Sequence, residues 1–540
     1  MTRRGRGDGR LLVLAPLRVE AAALRHGVGS TGRVVVTGMG PAAADRAVRA
    51  LDGAADRPVA VVGFCGSLRD GVEPGDVVVA SEVRGPTGVV SLPSAAAVSH
   101  SLRRTGLKVH VGPILSTDHV VRGAERAERA TDGALAVDME SFWLVSGVHA
   151  RRAVADLHTA DAAGIDRGAR PGVEDAGDHM TAVVRVVSDS PGSGFRPAGL
   201  PASGVKGLQS LARVGGCLEN WAAATGARTV LIAAPRSFCA GVCRAIDIIE
   251  QMLAQFGPPL YVRREIVHNK HVVDSFRDRG VVFVRELSEV PQGRAVVLAA
   301  HGVSPAVRAE AQDRGMEAID ATCPLVARLH AKARMLADQG HYIVFIGKKG
   351  HDETEGVVGE APDSIVVVED QADIDRLDGD DSRASGARSL ADTPIATLTQ
   401  TTLVPHEVEG LVAGLRRRFP HLIAPQTTDV CYASRDRQAA VRRVAPGCDW
   451  FLVIGSANSS NSKRLMEEAE RMGTPAALVD DESDLDLARL IGVRTLGLTA
   501  GASAPEALVE RMLAFLESLG PLDVRELRTG ADEPHFPAAV

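Results

Sequence analysis

The chain has 540 residues, 45% of them hydrophobic and 24% charged, which is enough for about two to four domains with cores of their own. A net charge of -7 and 3% aromatic residues exclude a general attraction to nucleic acid and leave little for base stacking. No apolar run nears the roughly 18 residues of a spanning helix, so stable membrane insertion is not expected.

In the opening "MTRRGRGDGRLLVLAPLRVE", Arg18 and Glu20 interrupt the apolar run before any cleavage pattern, so it reads as a tail and a first strand. From 10 to 190, "RLLVLAPL", "GRVVVTGMG", "PVAVVGFCGS" and "AVVRVVSDS" alternate with Ala-rich helical stretches, an α/β pattern. Ser, Pro and Gly concentrate over 188–207, and the region 191–227 reads as a linker with a connecting helix, "LQSLARVGGCLENWAAAT". A second α/β series follows over 228–525. It repeats an apolar strand, a small polar motif and an amphipathic helix, as in "TVLIAAPRSFCAGV", "AVVLAAHGVS", "EAIDATCPLV", "YIVFIGKKGHDETEG", "IATLTQTTL", "WFLVIGSANSSNS" and "TLGLTAGASAP". The crevices at such strand ends, with helix N-termini offering N–H groups, suit anionic ligands, and so many imply several small α/β units around a shared centre. The acidic stretch 378–392 reads as a surface loop, and 526–540 as a tail.

The seven cysteines are dispersed and odd in number, which argues against a disulfide framework and fits a cytoplasmic protein. Cys239, Cys323 and Cys431 each stand at a strand-to-helix mouth, in different units. Any one alone is most simply a buried core residue; three at equivalent places point to a metal centre. Structural zinc normally takes four ligands, often in close CxxC pairs, and none occurs here, whereas three thiolates suit an iron–sulfur cluster with one iron left open. Cys243, a turn beyond Cys239, is expected to pack; Cys65, Cys217 and Cys448 read as structural. His268, His301 and His351 sit beside small residues and turn signals. With Ser456, Asn458, Ser459, Ser460, Asn461 and Ser503 they form a dense donor set suited to a diphosphate, where helix capping alone would explain only one or two. Glu353, sharing a loop with His351, is a candidate proton source.

Residues 228 to about 525 resemble the 4-hydroxy-3-methylbut-2-enyl diphosphate reductase (IspH/LytB) family. The resemblance runs in order through "PRSFCAGVCRAI", "YVRREIVHNKHVVDSFRDRG", "AHGVSPAVR", "DATCPLV", "GHDETEG", "TQTTL", "DVCYASRDRQ", "GSANSSNSKRL" and "TAGASAP". It implies a 4Fe-4S cluster on Cys239, Cys323 and Cys431. It also implies a diphosphate site of His268, His301, His351, Ser459, Ser460, Asn461 and Ser503, proton delivery by Glu353, and Thr401 relaying or positioning the hydroxyl. The implied reaction is reductive dehydroxylation of the allylic diphosphate to isopentenyl and dimethylallyl diphosphate, with electrons from a ferredoxin or flavodoxin. The fold implied is three small α/β units around a central cluster.

The N-terminal part resembles the nucleoside phosphorylase and nucleosidase superfamily through "VTGMGPAAA", "VVGFCGSLRDGVEPGDVVVASEV", "LAVDMESFWL" and "VVRVVSDS". It implies ribose contacts from Met139 and Glu140, protonation of a leaving purine by Asp189, and Glu20 positioning water. Phe142 and Trp143 depart from the small residues usual after the Met-Glu pair. The alternative reading of this half is a non-catalytic interaction or oligomerisation module.

Overall fold

The computed structural model describes residues 11–29, 32–51, 54, 56–162, 178–191, 202–377, 393–423, 429–529 and 536. The acidic stretch 378–392 and most of the Ser/Pro/Gly-rich segment before 202 lie outside the described residues. The chain divides into two units. One comprises Met1–Thr229 with Leu485–Arg494 and Met512–Asp523, the other Val230–Asp484 with Thr495–Arg511 and Val524–Val540.

The first unit holds an eight-stranded sheet in the order Arg33–Val36, Leu12–Ala15, Val59–Ser67, Ala136–Asp138, Val109–Ser116, Val77–Gly85, Gly88–Ser91. The eighth strand, Thr181–Asp189, pairs parallel with Val59–Ser67 and antiparallel with Val77–Gly85. Those two pairings close five strands into a barrel-like ring, which removes the edges that Val-rich strands would otherwise present. Residues 181–187 are buried throughout, as expected of a strand paired on both sides.

Helix Ala202–Ala224, expected as a connection, packs instead into this unit against Arg18–Gly27 and Ala95–Arg104. Small residues permit it. A Cβ on Gly27 would lie 1.8 Å from the Ala212 carbonyl oxygen, and one on Gly215 would lie 3.0 Å from that of Leu24.

The second unit contains three sheets. The strands of the first, Val281–Val284, Leu260–Arg263, Ala295–Leu298 and Glu317–Asp320, are all parallel. So are those of the second, Ile365–Val368, Tyr342–Ile346 and Ile395–Thr399. The third runs Ala476–Val479, Trp450–Ile454, Thr495–Ala500, Arg228–Ala234, Leu522–Arg528, so its last strand continues past residue 525. The central strands Tyr342–Ile346 and Trp450–Ile454 are wholly buried apolar runs, because helices cover both faces of such sheets. Helix Ala240–Phe256 shows the matching helical signature, burying Ala245, Ile248, Ile249 and Met252 on one stripe.

Phe142 and Trp143 are explained by packing. The Phe142 ring lies over Gly85, where a Cβ would come within 2.2 Å of Cγ, and Trp143 meets it edge-on at 6.0 Å. Gly85→Ala should therefore overpack the first unit and destabilise it by about 1–3 kcal/mol. Urea denaturation followed by tryptophan fluorescence measures this, and an unchanged midpoint would contradict the packing account.

Candidate active site

In the second unit the three cysteines are alike in their backbone setting. Cys239, Cys323 and Cys431 are the N-caps of helices Ala240–Phe256, Pro324–Asp338 and Tyr432–Val444. Their backbone N–H groups donate to the carbonyls of Ala502 (3.1 Å), Ala300 (3.0 Å) and Thr401 (2.9 Å). Each acceptor stands two residues beyond the end of a strand: Thr495–Ala500, Ala295–Leu298 and Ile395–Thr399 respectively. Cys431 corrects the expectation that each cysteine ends its own strand. No named strand lies between Ile395–Thr399 and its helix among the described residues, and the Thr401 carbonyl holds it in the equivalent place.

The thiols approach one another closely. A Cβ on Gly241 would lie 2.6 Å from the Cys323 Sγ and 3.9 Å from that of Cys239, so only glycine fits there. Although the residues are half-buried, the protein mass around the thiols dominates their ionisation. Burial pushes Cys323 up to about 11, with Cys239 and Glu353 adding to the rise. Burial pushes Cys431 up to about 12, with Cys239 and Cys323 adding. Three mutually repelling thiolates at helix N-termini need a cationic group between them to ionise together, and a metal cluster is such a group. The donor set therefore fits an iron–sulfur centre. Cys243 is exposed rather than packed.

Glu353 lies in the first turn of helix Asp352–Val358, fully buried, and accepts hydrogen bonds from the Thr401 backbone N–H (2.7 Å) and Oγ1 (2.8 Å). Burial pushes it up to about 7, against the lowering effect of those two bonds and of His268. Thr401 thus touches the centre twice, through its carbonyl on Cys431 and its hydroxyl on Glu353.

The three histidines come together: His268 stacks on His301 at 4.1 Å, and His351 meets them edge-on at 5.5 and 5.8 Å. Burial, followed by the other two histidines and Arg264, holds His301 well below its usual pKa. His351 is pulled down to about 4, mainly by burial. Both are neutral near pH 7, and the buried His301 Nε2 has no protein partner. Ser503 donates to the His268 carbonyl (3.0 Å), and the Asn461 Oδ1 accepts from the Ala502 N–H (2.9 Å). The Ser/Asn run therefore joins the histidine cluster and Cys239 in one network. Ser459 is the N-cap of helix Ser460–Arg471, so capping accounts for it locally, while Ser460 pairs with Thr402 (3.0 Å).

Sequence reasoning missed Glu265, Arg264 and Gly241. Glu265 binds His268 Nδ1 (3.4 Å) and Asn458 Nδ2 (2.7 Å). Arg264 pairs with Asp352 and Glu355 beside His301, at a pocket of about 100 Å³. His268, His301 and Asp352 offer ligand atoms within 4.8 Å of one another, but Asp352 is already committed to Arg264.

The first unit has its own cleft, of about 1290 Å³, lined by Glu20, Met139, Glu140 and Asp189 among others. Glu20 accepts from the N–H groups of Phe64 and Leu17 (both 2.7 Å), and burial pushes it up to about 7, against the lowering effect of Arg185. Glu140 accepts from the Gly40 N–H (3.1 Å) and lies 3.6 Å from the fully buried Arg185, which pairs with Asp138 at 2.6 Å. Asp189 is paired with Arg126 (2.5 Å), an arginine the sequence reading did not single out. Phe142 and Trp143 do not line the cleft.

Residues 230–517 match the LytB protein family, and 24–189 match the phosphorylase superfamily. The 4-hydroxy-3-methylbut-2-enyl diphosphate reductase of Burkholderia pseudomallei is 46% identical over 307 residues, spanning 57% of this chain and 95% of that protein. Reductase 2 of Mycobacterium bovis is 47% identical over 317 residues, 58% of this chain and 93% of its own. The solved structure of the E-1-hydroxy-2-methyl-but-2-enyl-4-diphosphate reductase from Plasmodium falciparum superposes with a TM-score of 0.54 at 33% identity, covering 58% of this chain and 96% of that one. The chain belongs to the LytB family of iron–sulfur enzymes, with a phosphorylase-superfamily domain ahead of the LytB part. No helix among the described residues is long and apolar enough to cross a membrane.

If Gly241 is the space into which the thiols gather, Gly241→Ala should lower iron and sulfide per chain by at least half while leaving the far-ultraviolet dichroism intact. Full loading of the variant would remove the steric argument.

Proposed function

We propose that residues 228–525 catalyse reductive dehydroxylation of 4-hydroxy-3-methylbut-2-enyl diphosphate to isopentenyl and dimethylallyl diphosphate, in the cytoplasm, with electrons from a carrier of ferredoxin or flavodoxin type. The observation that carries this is the junction at Thr401, whose carbonyl holds Cys431 and whose hydroxyl holds a buried Glu353, in a unit that also clusters three histidines. Cys239, Cys323 and Cys431 would hold a 4Fe-4S cluster, which when bound supplies single electrons and a Lewis-acidic iron for the substrate hydroxyl.

The chain's residues do the remainder. Neutral His301 and His351, with His268 and the donors of Ser459, Ser460, Asn461 and Ser503, bind the diphosphate through hydrogen bonds, and the N-terminus of helix Ser460–Arg471 adds its dipole. Glu353, protonated below about 7, gives its proton through the Thr401 Oγ1 to the leaving oxygen. The balance is one alcohol, two electrons and two protons in, one alkene and one water out.

Glu353→Gln should lower kcat by about 10²–10⁴, the usual worth of a positioned general acid. Wild-type activity should fall as pH rises through about 7, where Glu353 loses its proton. Thr401→Val removes the relay and also a hydroxyl bond that favours the carboxylate, so kcat should fall and, in the activity that remains, Glu353 should hold its proton to higher pH and the falling limb should move up. A pH–rate profile with a chemical reductant reads both, and a limb that stays put or moves down would refute the assignment. Anaerobic purification with iron and sulfide analysis tests the cluster, and stoichiometric zinc in a colourless protein would sink it.

For residues 10–190 the reading is cleavage of an N-glycosidic bond in a purine nucleoside-type substrate. Its support is the cleft that gathers Glu20, Met139, Glu140 and Asp189. Arg126 pairs with the Asp189 Oδ2 at 2.5 Å, so a cation stands beside the carboxylate assigned to the purine. Release of adenine from adenosyl compounds by the wild type, lost in Asp189→Asn, is expected. No release by either favours the interaction-module alternative.

A further inference from the structure

A second opening reaches the cysteine centre from outside. Cys431 lines a surface pocket of about 280 Å³ together with Arg328, Lys332, Asp429, Tyr432 and Arg435. This pocket shares no lining residue with the one beside the histidines. Lys332 is paired with Asp429 at 2.8 Å and Arg328 lies in the field of the same carboxylate; Arg328 and Arg435 are both exposed, and neither makes a close ion pair among the described residues, so three cations face one acid. The pocket is thus locally cationic on a chain whose formal net charge is -7.

We propose that this pocket is where an acidic one-electron carrier protein docks, delivering electrons by way of Cys431. The inference rests on the reductase reading above and adds to it the place and the charge of the contact. A cysteine that belongs at once to the thiol centre and to an open surface pocket gives electrons a route that does not pass through the pocket beside the histidines. Two docking events serve each turnover: each oxidises one reduced carrier by one electron, and the two electrons with two protons convert the allylic alcohol to alkene and water. The exposed Arg328 and Arg435 attract the carrier's acidic face and orient it, an effect felt in encounter rate and in salt dependence.

The test uses the full chain loaded with its cluster, and compares reduced ferredoxin with dithionite-reduced methyl viologen as donors. In Arg328→Glu/Arg435→Glu, the KM for ferredoxin should rise about tenfold, while iron content, visible spectrum and methyl viologen-driven kcat stay at wild-type values. Raising salt from about 0.05 to 0.3 M should weaken wild-type use of ferredoxin and narrow the gap between the two proteins, because the steering is screened. An unchanged KM for ferredoxin overturns the docking site, and so does an equal loss with both donors, which would place the arginines' effect at the cluster. If the loaded wild type turns over with neither donor, the reductase reading itself has failed.

Discussion

The reductase half depends on holding three thiols together in surroundings that resist their ionisation. Burial raises Cys323 and Cys431, Cys239 raises both further, and Cys323 adds to the rise of Cys431. Without a cation Cys323 and Cys431 would stay protonated; a bound cationic centre reverses the balance and makes the same crowding favourable. The rest of the unit serves that constraint. The backbone of three helix N-caps is tied to three strand ends, a glycine leaves room between the sulfurs, and Thr401 links one tie to the buried acid.

The two units solve a related problem in different ways. Glu353 and Glu20 are both pushed up to about 7 by burial. Glu353 meets a hydroxyl, a backbone N–H and a more distant histidine, so its environment is close to neutral and a proton can come and go. Glu20 sits in the field of Arg185, which it shares with Asp138 and Glu140, so its proton is set by a network of one cation and three acids. Changing any member of that network shifts the others, whereas Glu353 is set by its burial, which the two bonds from Thr401 oppose.

Much of the site was legible in the sequence because cluster and anion sites sit where strands give way to helices, and such junctions have short, recognisable residue patterns. The N-cap placement of Cys239 and Cys323 follows directly. Cys431 shows where the pattern stops working, since its support comes from a strand-end carbonyl thirty residues earlier, which no local spacing reveals. Cys243 was misread because helical spacing alone does not say which way a first-turn residue points; it is exposed. Arg264, Glu265, Arg126 and Arg185 were invisible because charged residues are common, and only the fold shows which are buried or paired. The helix at 202–224 looked like a connection because of the Ser/Pro/Gly-rich stretch before it, yet its small residues let it pack against Arg18–Gly27.

The ties that hold the cysteines also impose an order on the life of the molecule. Cys239 hangs from the carbonyl of Ala502, so the first of the three cysteines to be synthesised lacks this backbone tie until residue 502 has been made. Cys323 is held by a neighbour close in sequence and can be placed early, Cys431 later, Cys239 last of all. A chain interrupted between residues 431 and 502 therefore carries all three thiols but lacks the carbonyl that holds Cys239.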